Sequence, residues 1–186
     1  EQFYLIKEQF EDGYLVAATF RPETIFGVTN VWVNPKASYV KVRVGDEIWY
    51  VSKKASEKLA NQGYHVKILE EFHGEKLLGK SVKIPFADRI VRILPASFVD
   101  DDIATGVVNS VPAHAPSDFV ALKDLKEKID PISIIATEGF SDVPAADVVK
   151  KFGIKSQHDK EKRDKATQEL YNAEFYNGVM RENTKL

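Results

Sequence analysis

The residues of this sequence best suited to chemistry lie in one loop. The segment Thr105-Gly106-Val107-Val108-Asn109-Ser110-Val111-Pro112-Ala113-His114-Ala115-Pro116-Ser117-Asp118 joins a predicted strand to a predicted helix. His114 could act as a general base, or it could hold the loop through a structural hydrogen bond. Asp118 falls in the first helical turn, where a carboxylate is favourable simply because it faces the positive end of the helix dipole. Both residues therefore have a structural explanation beside a chemical one.

The other histidines give no sign of a metal site. His65, His73 and His158 are scattered, no two histidines stand four residues apart, and the chain of 186 residues contains no cysteine. Metal sites usually show closely spaced histidine, cysteine or carboxylate ligands. We therefore predict neither a metal nor another cofactor.

A second polar segment precedes this loop by about eighty residues. It reads Thr19-Phe20-Arg21-Pro22-Glu23-Thr24-Ile25-Phe26-Gly27 and crowds hydroxyl, guanidinium and carboxylate groups at the end of a predicted strand. A proline-bent turn, in which Glu23 and Thr24 cap local amides, explains the same residues without any chemistry. Neither segment alone decides between the two interpretations.

Nine short β-rich runs, separated by turn residues, position these segments. Turn residues at Glu11-Asp12-Gly13 and Gly45-Asp46-Glu47 predict hairpins, so adjacent strands should be mostly antiparallel. The predicted strands cover residues 3–6, 14–20, 28–33, 39–44, 48–52, 66–69, 81–84, 90–94 and 106–111.

Helices are predicted at four places, two of them near the C-terminus. Ser52 is the expected N-cap of the first helix, and the last helix has only a thin apolar face, which predicts packing at the periphery. The predicted helices cover residues 53–62, 117–128, 147–152 and 160–171. The expected fold class is α+β, with a β-barrel-like core surrounded by helices and a helical appendage at the C-terminus.

Composition excludes several kinds of protein. With 44% hydrophobic residues the chain can bury a core, and no apolar run reaches the ~20 residues that a membrane helix needs. The formal net charge is −2 without a dense basic stripe, so we expect another part of the molecule to hold any nucleic acid. Because the sequence starts without a methionine, we expect a domain cut from a larger protein.

Together the two polar segments resemble a known family. The spacing Thr-x-Arg-Pro-Glu-Thr-x-x-Gly, followed by Thr-Gly-Val-Val-x-Ser-Val-Pro-Ala-His-Ala-Pro-x-Asp, is similar to the editing domain of the class I synthetases for leucine, isoleucine and valine. Residues 27–35 and the Ala-His-Ala-Pro loop resemble the leucine enzyme of the archaeal/eukaryotic type. The resemblance covers nearly all of residues 1–186, and the region of about 139–180 is similar to the helical insertion of that branch. The chain lacks the His-Ile-Gly-His and Lys-Met-Ser-Lys-Ser signatures of adenylate formation.

The resemblance implies a function and a set of site residues. The implied reaction is hydrolysis of the ester that joins a wrong amino acid to the 3′-terminal adenosine of tRNA(Leu). The implied partners are this tRNA and the remainder of a parent synthetase, in the cytoplasm and without a membrane. The implied catalytic residues comprise a sieve threonine, an ammonium-binding aspartate and two polar groups beside the scissile carbonyl: Thr24, Asp118, Thr19 and Arg21. The implied substrate-binding residues are Phe20, Asn109, Val111 and His114.

The sequence also departs from parts of the family pattern. Bacterial leucine enzymes usually carry threonine where this chain has Phe20 and aspartate where it has Ala115, so the water-activating group stays open. Two other functions stay open as well. One is a valine-type editing domain that removes threonine, although the Gly-Asp-Thr usual there is missing. The other is a module that binds the tRNA 3′ end without hydrolysis.

Overall fold

The computed structural model describes residues 3–184, and the chain divides into two compact units. The first unit combines the chain up to Ile25 with Asn30–Asn109. The second combines Phe26–Thr29 with the chain from Ser110 onward. No helix in the described range is long and apolar enough to cross a bilayer.

Nine strands form the large sheet. All of their residues belong to the first unit except Ser110, the last residue of β9. Each predicted run is confirmed as a strand, although β1 and β6 each extend four residues further than predicted, to Phe10 and His73. The strands are β1 Tyr4–Phe10, β2 Gly13–Thr19, β3 Asn30–Val33, β4 Ser38–Val44, β5 Glu47–Ser52, β6 Val66–His73, β7 Ser81–Ile84, β8 Arg89–Pro95 and β9 Val107–Ser110.

The strand order agrees with the predicted α+β class, but it shows an open sheet where a β-barrel-like core was expected. Most neighbouring strands are antiparallel, as predicted, whereas β2 pairs with β5 and β3 with β8 in parallel. Within residues 3–184 the order is β6-β4-β5-β2-β1-β7-β8-β3-β9, with β6 and β9 at open edges. The expected β-barrel-like core is therefore an open nine-stranded sheet. Turn residues identify which strands are joined by hairpins, but they carry no information on whether the two edge strands meet.

The first hairpin shows how turn residues shape this sheet. Phe10 pairs with Gly13 across the two-residue turn Glu11-Asp12, and Glu11 has a φ of 48°. A Cβ atom at Gly13 would lie 2.2 Å from the carbonyl oxygen of Ile48. Glycine is therefore required there, because β5 approaches β2 too closely for a side chain.

One helix, α1 (Lys53–Asn61), packs on the sheet, and Ser52 caps it as predicted. The Ser52 hydroxyl accepts a hydrogen bond from the Ala55 amide at 3.1 Å and donates one to the Asp101 carbonyl at 2.7 Å. Ala55 and Leu59 are buried against a core of sheet residues: Val16, Val40, Val42, Val44, Trp49 and Val51. Helical spacing of the two apolar residues thus attaches α1 to the sheet.

The second unit contains three helices and a two-stranded antiparallel sheet. Ala166 and Leu170 form the apolar face of the longest helix, as predicted, and they share one core with Val120, Val148 and Ile154. That helix therefore forms part of the core of the second unit. The elements are α2 Pro116–Leu125, β10 Ile135–Thr137, α3 Pro144–Lys151, α4 Lys160–Asn177 and β11 Gly178–Met180. The two three-residue strands were not predicted, because such short runs carry no periodicity.

Candidate active-site residues

The segment from Thr19 to Thr24 in the first unit is a compact turn held by its own residues. The Thr19 hydroxyl accepts a hydrogen bond from the Arg21 amide at 2.9 Å. The Thr24 hydroxyl donates to the Arg21 carbonyl at 2.7 Å, and the Thr24 amide donates to the same oxygen at 3.0 Å. From Pro22 to Gly27 the chain forms a 3₁₀ helix. Three predicted site residues thus lie together in one turn.

This geometry determines which atoms of the turn remain for a ligand. The Thr24 hydroxyl donates its proton to a backbone oxygen, so the methyl group is the part of this 7%-exposed side chain that can act sterically. The Thr19 oxygen accepts a hydrogen bond and still has a proton to donate. Arg21 Nε lies 3.0 Å from Glu23 Oε1, so Glu23 pairs with the guanidinium instead of capping an amide.

Phe20 lies between these residues, with 45% of its surface exposed. Its ring stacks on that of Phe3, with centroids 3.9 Å apart and an interplanar angle of 25°. The stacked pair leaves apolar surface beside the polar turn. The predicted substrate-binding role of Phe20 stays a prediction.

Asn109 in β9 lies beside Glu8, a buried carboxyl that we did not predict. Glu8 is 0% exposed, and neither of its oxygens has good hydrogen-bond geometry with a described residue. Burial raises the pKa of Glu8 to about 8, and the nearby Asn109 side chain lowers the pKa in part. At neutral pH Glu8 is therefore mostly a neutral acid. A signal existed in the sequence, since strand alternation places Glu8 on the same face as Phe10.

In the second unit, the loop before α2 closes around Val111. The Val111 amide donates to Asp118 Oδ2 at 2.7 Å, and the Val111 carbonyl accepts from the amides of His114 and Ala115, both at 2.9 Å. Asp118 is 5% exposed and lies in the first turn of α2. The carboxylate is thus buried, hydrogen-bonded and near the positive end of a helix. Val111 and Asp118, two predicted site residues, are in direct contact.

His114 engages both of its ring nitrogens with the chain. Nε2 accepts hydrogen bonds from the amides of Ile134 at 2.9 Å and Ile135 at 3.4 Å, while Nδ1 lies 2.6 Å from Glu174 Oε1. Because an amide donates to Nε2, the proton of the neutral ring is on Nδ1 and is donated to Glu174. This is the loop-holding hydrogen bond that the sequence left open. The predicted substrate-binding role of His114 stays a prediction.

The last glycine of the first motif lies in the second unit and packs against the loop. A Cβ atom at Gly27 would lie 2.8 Å from Val111 Cγ1 and 3.3 Å from the Ile132 carbonyl oxygen. Any larger residue at this position would displace Val111. Close packing against Val111 therefore explains why the last position of the first motif, Gly27, is a glycine.

Two buried charged residues of α4 also contact the loop and were not predicted. Glu174 is 4% exposed and binds His114, and Arg163 is 8% exposed and donates from Nη1 to the Ser117 hydroxyl at 2.8 Å. A signal was present, because residues 163, 166, 170 and 174 fall on one helical face. The predicted helix ended at residue 171, six residues too early, so Glu174 lay beyond it. In the described part of the chain, no three histidine or acidic side chains converge as metal ligands do.

Comparisons with known proteins identify the family. The family model described as "Leucyl-tRNA synthetase, editing domain" matches residues 6–185. The leucine–tRNA ligase of Pyrococcus horikoshii is 51% identical over 95% of this chain and 20% of that protein. The corresponding enzyme of Methanocaldococcus jannaschii is 46% identical over 98% of this chain and 21% of that protein. The chain thus spans about a fifth of the length of the curated relatives it matches.

Solved structures agree with the fold. The crystal structure of the cytosolic leucyl-tRNA synthetase editing domain of P. knowlesi has a TM-score of 0.88 at 21% identity, covering 100% of this chain and 88% of that chain. The crystal structure of GlLeuRS-CP1 has a TM-score of 0.83 at 26% identity, covering 96% and 87%. The archaeal relatives also confirm the resemblance to the archaeal/eukaryotic type. The chain belongs to the editing-domain family of the leucyl-tRNA synthetases.

Proposed function

We propose that this chain hydrolyses the ester between a noncognate amino acid and the 3′-terminal adenosine of tRNA(Leu). The observation that carries the proposal is the buried carboxylate of Asp118, held by the Val111 amide in the motif loop of a leucyl-type editing domain. A hydrophobic synthetic pocket separates amino acids that differ by one methylene by only ~1–3 kcal/mol. A second, hydrolytic site removes the errors that this small difference allows.

Asp118 is proposed to bind the α-ammonium group of the esterified amino acid. Its Oδ2 is held by the Val111 amide at 2.7 Å, so the orientation of the carboxylate is defined before substrate arrives. A charge-assisted hydrogen bond to an ammonium is stronger than a neutral one and is costly to lose when buried. Asp118 would therefore orient the ester as well as bind it.

Thr24 is proposed to exclude leucine by steric contact. Because its hydroxyl is bonded to the Arg21 carbonyl, its methyl group is held in one position. A methyl-sized block distinguishes amino acids by ~1–3 kcal/mol. Editing needs this discrimination, since a site that accepted leucine would hydrolyse the correct product.

Thr19 and Arg21 are proposed to act at the scissile carbonyl. The Thr19 hydroxyl retains a proton to donate, and the Arg21 side chain is 20% exposed. Such donors can hold water or stabilise the tetrahedral oxyanion. Phe20, Asn109 and Val111 are proposed to line the amino-acid side chain.

The partners in this proposal are the aminoacylated end of tRNA(Leu) and the remainder of a parent synthetase. A chain with a net charge of −2 is poorly suited to bind the phosphates of a whole tRNA. The other parts of the synthetase would supply those contacts. A cytoplasmic location is part of the same proposal.

A deacylation assay with four substrates tests the function. We expect hydrolysis of Ile-tRNA(Leu) and Met-tRNA(Leu), with Leu-tRNA(Leu) spared. Preference for Thr-tRNA(Val) would identify the valine-type reaction instead. Binding of the tRNA end without hydrolysis of any ester would identify a binding module, and either result would contradict the proposal.

A further inference from the structure

Helix α4 reaches the Asp118 loop at two points through buried charged side chains. Near its N-terminus, Arg163 donates to the Ser117 hydroxyl at 2.8 Å. Near its C-terminus, Glu174 lies 2.6 Å from His114 Nδ1. Ser117 is adjacent to Asp118, and His114 is four residues before it in the same loop.

The contact between Glu174 and His114 constrains the loop more than an apolar contact would. The two side chains are 0% and 1% exposed, so removing Glu174 would leave the buried Nδ1–H of His114 without this acceptor in a low-dielectric site. The carboxylate also keeps the proton on Nδ1, which leaves Nε2 to accept the Ile134 amide. Glu174 therefore determines how His114 connects the loop to the chain at Ile134.

We propose that Glu174 and Arg163 are positioning residues, which hold the His114–Asp118 loop so that the Asp118 carboxylate is correctly placed for the substrate ammonium. This inference rests on the proposed function and extends it to a helix outside both motifs. A displacement of ~1 Å at a binding group can lower a rate by about 100-fold. The two side chains thus give α4 a role in hydrolysis beyond its share of the core.

Three variants of α4 separate positioning from general stability. Glu174→Leu removes the acceptor for His114 Nδ1, whereas Glu174→Gln keeps an acceptor oxygen at the same place. Leu170→Ala is the matched control. Leu170 is 0% exposed in the core around the same helix, so the substitution destabilises the core and leaves the hydrogen bonds of Glu174 and Arg163 to the loop in place.

The first measurement is single-turnover hydrolysis of Ile-tRNA(Leu) by a leucyl-tRNA synthetase that carries this chain as its editing domain, at a temperature where each variant is folded. We expect Glu174→Leu to lower the maximal rate constant by roughly 10- to 100-fold. Glu174→Gln should recover most of that rate, and Leu170→Ala should stay near wild type. An unchanged rate for Glu174→Leu, or an equal loss for Leu170→Ala, would overturn the proposal.

The second measurement is amide hydrogen exchange, which needs no activity. In Glu174→Leu the amides of Val111 and Ile134 should exchange roughly tenfold faster than in Leu170→Ala, because their acceptors are no longer held. Equal exchange in the two variants would reject the positioning role. If a wild-type synthetase that carries this chain hydrolyses no noncognate ester, the proposed function fails, and hydrogen exchange still decides whether Glu174 holds the loop.

Discussion

The two motif segments differ in where their hydrogen-bond partners lie along the chain. The turn from Thr19 to Thr24 is held by bonds between residues two or three positions apart. In the loop from Val111 to Asp118, His114 is hydrogen-bonded to Ile134 and Glu174, which lie 20 and 60 positions further along the chain. Ser117 accepts a hydrogen bond from Arg163, which lies 46 positions further along. The first segment can therefore take its shape from local sequence, whereas the second depends on a helix near the C-terminus.

The comparison extends to buried carboxyl groups in the two units. Asp118 and Glu174 in the second unit are both hydrogen-bonded. Glu8 in the first unit is equally buried, yet its oxygens lack well-formed hydrogen bonds to described residues. A buried carboxyl with partners can stay charged, whereas one without them keeps its proton. Burial without such bonds raises the pKa of Glu8, so the surroundings of Glu8 disfavour its charged form.

The largest expected effect comes from removing the held carboxylate. Asp118→Ala should lower hydrolysis of Ile-tRNA(Leu) by about 100-fold or more, because the ammonium loses its partner and the ester its orientation. Asp118→Asn keeps an acceptor for the Val111 amide but removes the charge, so it should be folded and nearly inactive. Steady-state deacylation and thermal melting measure both effects.

Asp164→Asn is the control for the two Asp118 variants, because it removes a carboxylate from the exposed face of α4 and should leave hydrolysis unchanged. Full activity in a folded Asp118→Asn variant would mean that the carboxylate only holds the loop. Asp118 would then have only a structural role in the loop from Val111 to Asp118.

The next largest effect concerns the pH dependence contributed by Glu8. The folded chain raises the pKa of Glu8 from 4.5 to about 8, so it binds this proton more tightly than the unfolded chain does. The stability from Glu8 is therefore fully present below pH 4.5 and is lost as the pH rises to about 8. Between pH 4.5 and pH 7 the loss is about 3 kcal/mol.

Glu8→Gln removes the titrating group and should remove this loss. Denaturant unfolding of wild type and variant from pH 4 to pH 8 measures the difference, and Glu57→Gln, at an exposed position of α1, is the control. Parallel stability curves for wild type and Glu8→Gln would show that Glu8 has a partner in solution. The contrast between the two units would then disappear.

A smaller effect distinguishes the two parts of the Thr24 side chain. Thr24→Ala and Thr24→Ser both remove the methyl group, and both should raise hydrolysis of Leu-tRNA(Leu) by roughly 10- to 200-fold. Thr24→Val keeps a branched side chain and loses the bond to the Arg21 carbonyl, so it should still spare leucine. The ratio of leucine to isoleucine ester hydrolysis measures the sieve.

The opposite pattern would change the role of Thr24. If Leu-tRNA stays intact while every substitution lowers Ile-tRNA hydrolysis, Thr24 takes part in the chemistry. The Thr24 hydroxyl would then act in hydrolysis as well as in the hydrogen bond that holds the turn.

The smallest expected effect is a stability change without a change of specificity. Ser52→Ala removes the cap of α1 and should lower the free energy of unfolding by about 1 kcal/mol. The ester preference should be that of wild type, since the substitution leaves the Thr19–Thr24 turn intact. Ser52→Thr retains a capping hydroxyl and serves as the control. A changed ratio of leucine to isoleucine ester hydrolysis in Ser52→Ala would contradict the prediction, because it would show that specificity depends on the stability of α1.

Much of the fold could be predicted from local sequence. The nine strands and the Ser52 cap follow from β-rich runs, turn residues and a polar residue before a helix. The closure of the sheet could not be predicted, because it depends on whether β6 and β9 meet. The shape of the Thr19–Thr24 turn belongs with the predictable features, since its hydrogen bonds join near neighbours.

Two motifs were enough to identify the family from the sequence, through their resemblance to leucyl-type editing domains, and the family model that matches residues 6–185 confirms it. The groups that hold the second motif became visible only in the folded structure. Glu174 and Arg163 lie 60 and 46 residues from their partners, and nothing in a single sequence links positions that far apart. Burial and the choice of partner both depend on packing between elements that are distant in sequence. A buried carboxyl is hydrogen-bonded at Glu174 and lacks well-formed bonds to described residues at Glu8, and local sequence specifies neither surrounding.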